Sequence, residues 1–127
     1  MTGMRREWSF MTRHKKGTVV LVFFPNSDLI TAKLRPAMVV QSDDLNTGFN
    51  QVIVAMITSN LNREGHQSRF RINKDSDEGR AAGVLTDSIV MTDNLATVKH
   101  NEINRTIGCL NSLETVDKAL KATFGLK

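Results

Sequence analysis

The chain is poor in the residues that most often announce a chemistry. Its 127 residues include one cysteine, one tryptophan, two prolines and no tyrosine. A lone cysteine, Cys109, excludes an internal disulfide framework and any Cys-x-x-Cys zinc signature, and it suits a reducing compartment such as the cytoplasm. Lacking tyrosine, and with Trp8 as the only indole, the chain is not expected to build a broad aromatic platform on which bases could stack. No apolar run approaches the roughly 20 residues of a membrane-spanning helix. The run Thr18–Phe24 follows basic residues as a secretory core would, but it is short, meets Pro25-Asn26-Ser27-Asp28 and has no small-residue cleavage pattern. The histidines His14, His66 and His100 stand too far apart for metal-ligand spacing. There is no glycine-rich phosphate loop, dinucleotide fingerprint, His-Glu-x-x-His helix or Gly-x-Ser-x-Gly elbow. No metal and no cofactor is expected, and Cys109 reads as a buried, inert residue.

What is present describes one globular domain, with 40% apolar and 24% charged residues. The net charge of +4 is misleading as a sign of nucleic-acid binding. Five bases (Arg5, Arg6, Arg13, Lys15 and Lys16) and one acid, Glu7, lie in the first 16 residues, leaving twelve bases and twelve acids in the remainder. Residues 1–15 are therefore expected to form a flexible basic arm, with Trp8 and Phe10 docking on the body, and residues 16–127 a single domain whose own charge is balanced.

Hydrophobic periodicity divides that domain into short strands and one helix. Val19 to Phe24 form a nearly continuous apolar strand. Pro36 lacks a ladder N–H and keeps Arg35 extended, so it is expected to open a second strand over Ala37–Gln41. A polar loop at Asp43–Asn50 leads to a third strand, Val52–Ile57, and Arg69–Ile72 alternates as a half-exposed strand does. Asn73–Gly83 reads as loop, Ser88–Thr92 and Ala96–Val98 as two further strands, and Ile103–Leu110 as strand or helix. Asn111-Ser112-Leu113-Glu114 has capping spacing, and Leu113, Val116, Leu120 and Phe124 then mark one helical face that ends at Gly125. The fold class is mainly β with a C-terminal α-helix, a small antiparallel barrel.

Polar residues at strand ends are the remaining candidates for chemistry. If the strands around Asp43–Asn50 pair as a hairpin, Arg35 at the start of one lies beside Thr58 at the end of the other. Taken alone, an arginine before a strand equally forms a surface ion pair, and Thr58-Ser59-Asn60 equally forms a turn. The stretches Lys16-Gly17-Thr18-Val19-Val20-Leu21-Val22, Leu34-Arg35-Pro36-Ala37-Met38-Val39-Val40 and Ala55-Met56-Ile57-Thr58-Ser59 resemble, in order and spacing, the MazF/PemK toxins. Asp87-Ser88-Ile89-Val90-Met91-Thr92-Asp93-Asn94-Leu95-Ala96-Thr97-Val98 resembles the later signature of that family, and Ile107-Gly108-Cys109-Leu110 its C-terminal end. The similarity covers roughly residues 15–126.

This resemblance implies an SH3-like barrel of the MazF/CcdB type that dimerises. It also implies the toxin half of a toxin–antitoxin pair, a metal-independent, sequence-specific endoribonuclease cleaving single-stranded mRNA, with an antitoxin protein that blocks the RNA groove. Arg35 matches the catalytic Arg of the family and Thr58 its catalytic Thr; Lys33, Ser59, Asn60, Asp93 and Thr97 are the residues expected to meet RNA, although Asp93 and Thr97 equally suit pinning a turn. The chain departs from the family where Gly17-Thr18 replaces Gly-Asp, where Met91 occupies a position that is Arg in some relatives, and where the Phe24–Leu34 segment carries only Asp28 and Lys33 as charges. Two other outcomes fit the same architecture: a CcdB-like gyrase poison without phosphate chemistry, and a degenerate barrel that binds RNA or antitoxin without cutting.

Overall fold

A computed structural model of the chain describes residues 14–25 and 27–127. The expected docking of Trp8 and Phe10, and most of the basic arm, lie outside the described residues. Six strands, β1 (Thr18–Pro25), β2 (Ala32–Val39), β3 (Gln51–Thr58), β4 (Arg69–Ile72), β5 (Ser88–Lys99) and β6 (Ile103–Cys109), form one antiparallel sheet in the order β4-β5-β3-β2-β1-β6. Among the described residues two α-helices accompany it, α1 (Asp77–Ala82) and α2 (Glu114–Phe124).

The apolar run in β1 meets a cluster on each face at its start, through Val19 on one side and Val20 and Val22 on the other; further on, Leu21 is half-buried and Phe23 is 49% exposed. Val19 packs with Met38, Ala55, Ile57, Val90, Leu110 and Val116 in one cluster; Val20 and Val22 pack with Ala37, Val39, Val52, Val54 and Val98 in another. Helix α2 covers the first face through buried Val116 and Ala119, with Leu113 and Leu120 alongside. Burying one such valine or leucine contributes about 1.5–3 kcal/mol, enough to fix a short helix that would be marginal alone. On the second face the sheet curls on itself: Val98 at the end of β5 and Ile103 at the start of β6 meet the same cluster across a 3-10 turn. The edge strands β4 and β6 do not pair, so the barrel is open.

Several expected boundaries shift. Pro36 is the fifth residue of β2, not its first, because β2 begins at Ala32 and pairs with β1 from Pro25↔Ala32 onward. The β2–β3 ladder stops at Ala37↔Met56, so the missing N–H of Pro36 costs no bond to that neighbour. The two strands read at Ser88–Thr92 and Ala96–Val98 are one twelve-residue strand, β5. It carries a bulge: Ala55 pairs with Leu95 but Met56 with Met91, leaving residues 92–94 extra on β5. The Asn73–Gly83 segment is not all loop, since Ser76 Oγ accepts the Gly79 N–H at 2.9 Å and caps α1. Helix α1 lies against β6, where Gly108 approaches the backbone of Ala81 and Ala82.

The C-terminal helix starts later than its expected cap at Asn111: Leu113 holds the cap position without a side-chain bond. Its end is as expected, with Gly125 at φ +68° and the Leu126 N–H donating to Lys121 O at 2.8 Å. Phe124 is 59% exposed, so the buried stripe ends a turn earlier. Cys109 is half-buried rather than buried.

Candidate active site

Carried two residues past Ala37↔Met56, the β2–β3 register sets Arg35 across from Thr58. Facing positions of paired strands share a face, and residues two apart along a strand do too. Ala37 and Met56 both belong to the second cluster, so Arg35 and Thr58 emerge on that face, at the sheet end where the apolar cluster gives way to polar residues. Both are half-buried, and the Nε of Arg35 is shielded from solvent. On its other side Arg35 pairs with Val22 of β1. Lys33, exposed and opposite Phe24, continues the same face about 7 Å further along β2.

Thr58 also begins a turn, so both of its sequence readings hold. Its Oγ1 accepts the Asn60 N–H at 3.1 Å, and Asn60 Oδ1 accepts the Asn62 N–H at 3.1 Å to cap the 3-10 turn Leu61–Arg63. Because the Thr58 oxygen is an acceptor there, its own proton remains to be donated. Ser59 is exposed at the start of this turn.

Asp93 sits in the β5 bulge, held by a side chain that the sequence did not single out. Arg69 Nε donates to Asp93 Oδ1 at 3.0 Å and Arg69 Nη2 to Oδ2 at 2.8 Å, a fork-on-fork pair. The third Arg69 donor, Nη1, reaches Arg63 O at 2.9 Å, tying the bulge to the turn after Thr58. The hydrogen bond from Arg69 holds the Asp93 carboxyl below its ordinary range, and the same bond raises Arg69. His66 stands nearby, Nε2 3.9 Å from Asp93 Oδ2, with its Nδ1 2.5 Å from Ser68 Oγ. The neighbouring bulge residues divide between the two sides. Thr92 is buried and bonded to Ser68 O and to Thr123 Oγ1 of α2, whereas Asn94 Nδ2 lies 3.2 Å from Met56 Sδ.

Arg71 faces Ile89, which faces Thr58, so it lies in the same cross-strand row. Its charge is met by Glu64 at 3.4 Å and Asp87 at 3.2 Å. Asp28, the only acid of the β1–β2 loop, is turned onto its own loop: the backbone N–H groups of Thr31 and Ile30, then the Thr31 hydroxyl, lower its pKa. Thr97 is not part of this assembly. It pairs with Ile53, five residues and about 17 Å along β3 from Thr58, at a position of the opposite face. Among the described residues no three His, Cys, Asp or Glu side chains converge as a metal-ligand set.

Sequence reasoning thus named Arg35, Thr58, Lys33, Ser59, Asn60 and Asp93, which lie toward one end of the sheet, with Arg35, Thr58 and Lys33 on one face, but did not single out Arg69, His66 and Asn94. The alternation Arg69-Phe70-Arg71-Ile72 signals only that the two arginines share a face. That Arg69 meets a carboxylate 24 residues away is a tertiary fact without a local signal.

The fold has counterparts of known structure. A mycobacterial endoribonuclease solved with its cognate antitoxin superposes with a TM-score of 0.68 at 19% identity, covering 91% of this chain and 98% of that one. The Mycobacterium tuberculosis toxin MazF-mt6 gives 0.64 at 20% identity, covering 85% and 98%. A MazE–MazF structure from Deinococcus radiodurans gives 0.61 at 14% identity, covering 90% and 98%. At such identities these likenesses speak for the fold. No curated protein matches the chain by sequence. The family model of the PemK-like, MazF-like toxins of type II toxin–antitoxin systems matches residues 15–124, nearly the whole described domain, and the chain belongs to that family.

Proposed function

We propose that the chain is a toxin endoribonuclease that cuts single-stranded RNA without a metal, with Arg35 and Thr58 at the reacting phosphate. The observation that carries this reading is their placement across from one another on the polar end of the second sheet face. The guanidinium matches phosphate oxygens in pairs and stabilises the charge that grows on them as phosphorus becomes five-coordinate. The Thr58 hydroxyl, its oxygen already held by Asn60, donates to a phosphate oxygen and keeps the reacting groups in line. The 2′-oxygen bonds to phosphorus as its proton passes to water, and the bond from phosphorus to the 5′-oxygen breaks as that oxygen takes a proton from water. The products are a 2′,3′-cyclic phosphate and a 5′-hydroxyl end. An arginine is too weak an acid to serve as a neutral base, so its role is electrostatic. Lys33 extends positive potential along the strand for an adjoining phosphate, and Ser59 and Asn60 border the path. Asp93 supports this surface through Arg69, and Thr97 lies apart from it.

The polar face is also where an antitoxin protein would block RNA, and a homodimer of this chain would present it twice. Chromatography with in-line light scattering at micromolar concentration is expected to give a dimer.

The deciding experiment incubates the purified chain with a long single-stranded RNA, and separately with the matching DNA, in excess EDTA. RNA alone is expected to be cut, leaving cyclic-phosphate ends. Arg35→Ala is expected to lower the rate by about 10²–10³-fold. Undiminished cleavage by Arg35→Ala would overturn the site; intact RNA from folded wild type would overturn the activity.

A further inference from the structure

The cations on the active face are not equal. Arg69 is committed to Asp93, and Arg71 to Glu64 and Asp87. Arg63 is exposed and has no ion pair among the described residues, although it sits in the same neighbourhood. Its position is built. The Asn60 N–H donates to Thr58 Oγ1, Asn60 caps the 3-10 turn that begins at the next residue and carries Arg63, and the Arg63 N–H donates to Asn60 O at 3.0 Å. The far end is held as well, by Arg69 Nη1 on Arg63 O. Arg69 faces Met91, and Met91 faces Met56, so Arg69 rises on the face of Arg35 and Thr58, and the turn it grips lies over that face.

We infer that Arg63 is a second phosphate-binding residue, contacting the RNA backbone a few nucleotides away from the phosphate held by Arg35. This rests on the ribonuclease reading and extends it, since it gives the RNA a direction. The chain crosses from β2 over the end of β3 toward the turn above β5 and β4. The neighbouring arginines are neutralised by fixed carboxylates and hold the turn in place. Of the arginines on and around this turn, Arg63 is the one without an ion pair among the described residues, so its field is left to a ligand. A side chain anchored at both ends of its turn loses little backbone freedom on binding, so its charge counts more than that of a residue on a loose loop.

The test uses oligonucleotides centred on a site that wild type cuts, made uncleavable by a 2′-deoxyribose at that nucleotide, and lengthened one nucleotide at a time on each side. Wild type is expected to gain affinity at one particular length on one side only. Arg63→Gln should lose that gain, about tenfold at low salt, and its salt slope should fall by about 0.7 for the one lost phosphate contact. Arg63→Lys should recover most of both, while kcat on the shortest cleaved RNA stays at the wild-type value in all three. An Arg63→Gln protein with the wild-type length profile and slope would overturn the inference. So would a defect of equal size at every length, which would mark a distorted turn. Wild type that cuts no all-ribose RNA would instead remove the ribonuclease reading itself, and that cleavage assay is run before any variant is tested.

Discussion

The Arg69–Asp93 clamp gives the sharpest quantitative expectation. Its two charge-assisted bonds would be worth about 1.5–3 kcal/mol each if fully buried. The side chains are 20% and 33% exposed, however, and exposed pairs contribute about 0.2–1 kcal/mol. Fork geometry and the added bond to Arg63 O place this pair at the top of that range, so a double-mutant cycle of Arg69→Met and Asp93→Asn should give a coupling of about 1 kcal/mol. Arg69→Met alone should cost more, about 2 kcal/mol, because it also strands Arg63 O and the Asp93 charge. For a domain of this size that lowers Tm by about 6–10 °C. The sign with pH follows from the lowered Asp93 pKa. A depressed carboxyl contributes fully above its ordinary value of 3.8 and loses that contribution as pH falls through the depressed value. The coupling should therefore be flat from neutral pH to about pH 5 and vanish in the acid limb. Urea melts of the four proteins at several pH values measure it. A coupling of zero at neutral pH, or one that grows on acidification, would refute the reasoning. In cleavage assays Arg69→Met, which also releases Arg63 O, should be the more impaired single variant and the double variant no worse than it. A larger loss from Asp93→Asn alone would mean that the carboxylate meets RNA directly.

Other perturbations probe the frame. Gly108→Ala would drive a β-carbon into the backbone of Ala81 and Ala82, and separating α1 from β6 should cost about 3 kcal/mol, seen as a Tm lower by about 10 °C. Val116→Ala removes two methyl groups from a fully buried position and should cost about 2 kcal/mol, with RNA cleavage at low temperature preserved. The His100 ring lies with Nδ1 3.1 Å from that of His14, and burial, then the charge of His14, lower its pKa from 6.5. A histidine depressed in the fold contributes fully above 6.5 and loses that contribution as pH falls below it, so His100→Gln should flatten the stability profile between about pH 7 and 5.

What was legible in the sequence depended on how local its cause was. The β1 run could be read because six consecutive apolar residues, Val19 to Phe24, leave nothing polar in it, although Phe23 is exposed in the fold. Gly125 could be read because a left-handed stop favours glycine. The two halves of β5 looked separate because Asp93 and Asn94 interrupt the apolar pattern, and only pairing with β3 shows the interruption to be a bulge within one strand. Helix α1 is six residues long and contains Gly79, too short for a 3.6-residue period to declare itself, although Ser76 followed by Asp77 and Glu78 is a readable start. Arg35 and Thr58 were named through family likeness and a hairpin guess; the register agrees with the guess without a ladder reaching them. Arg63 and Arg69 were passed over because an arginine announces its charge but not whether a carboxylate will neutralise it.

The bulge in β5 has a consequence for how this protein tolerates change. Along an ordinary strand, alternate residues answer to different faces, so a substitution on one face leaves the other untouched. At residues 92–94 that independence ends: Thr92 is bonded to Thr123 of the covering helix, Asp93 to Arg69, and Asn94 touches Met56, all within three consecutive residues. An insertion or deletion there would rotate every one of them at once. Variation in RNA preference should therefore accumulate in the loops after β1 and β3, which can be exchanged piecemeal, while this short segment changes only together with the helix that leans on it.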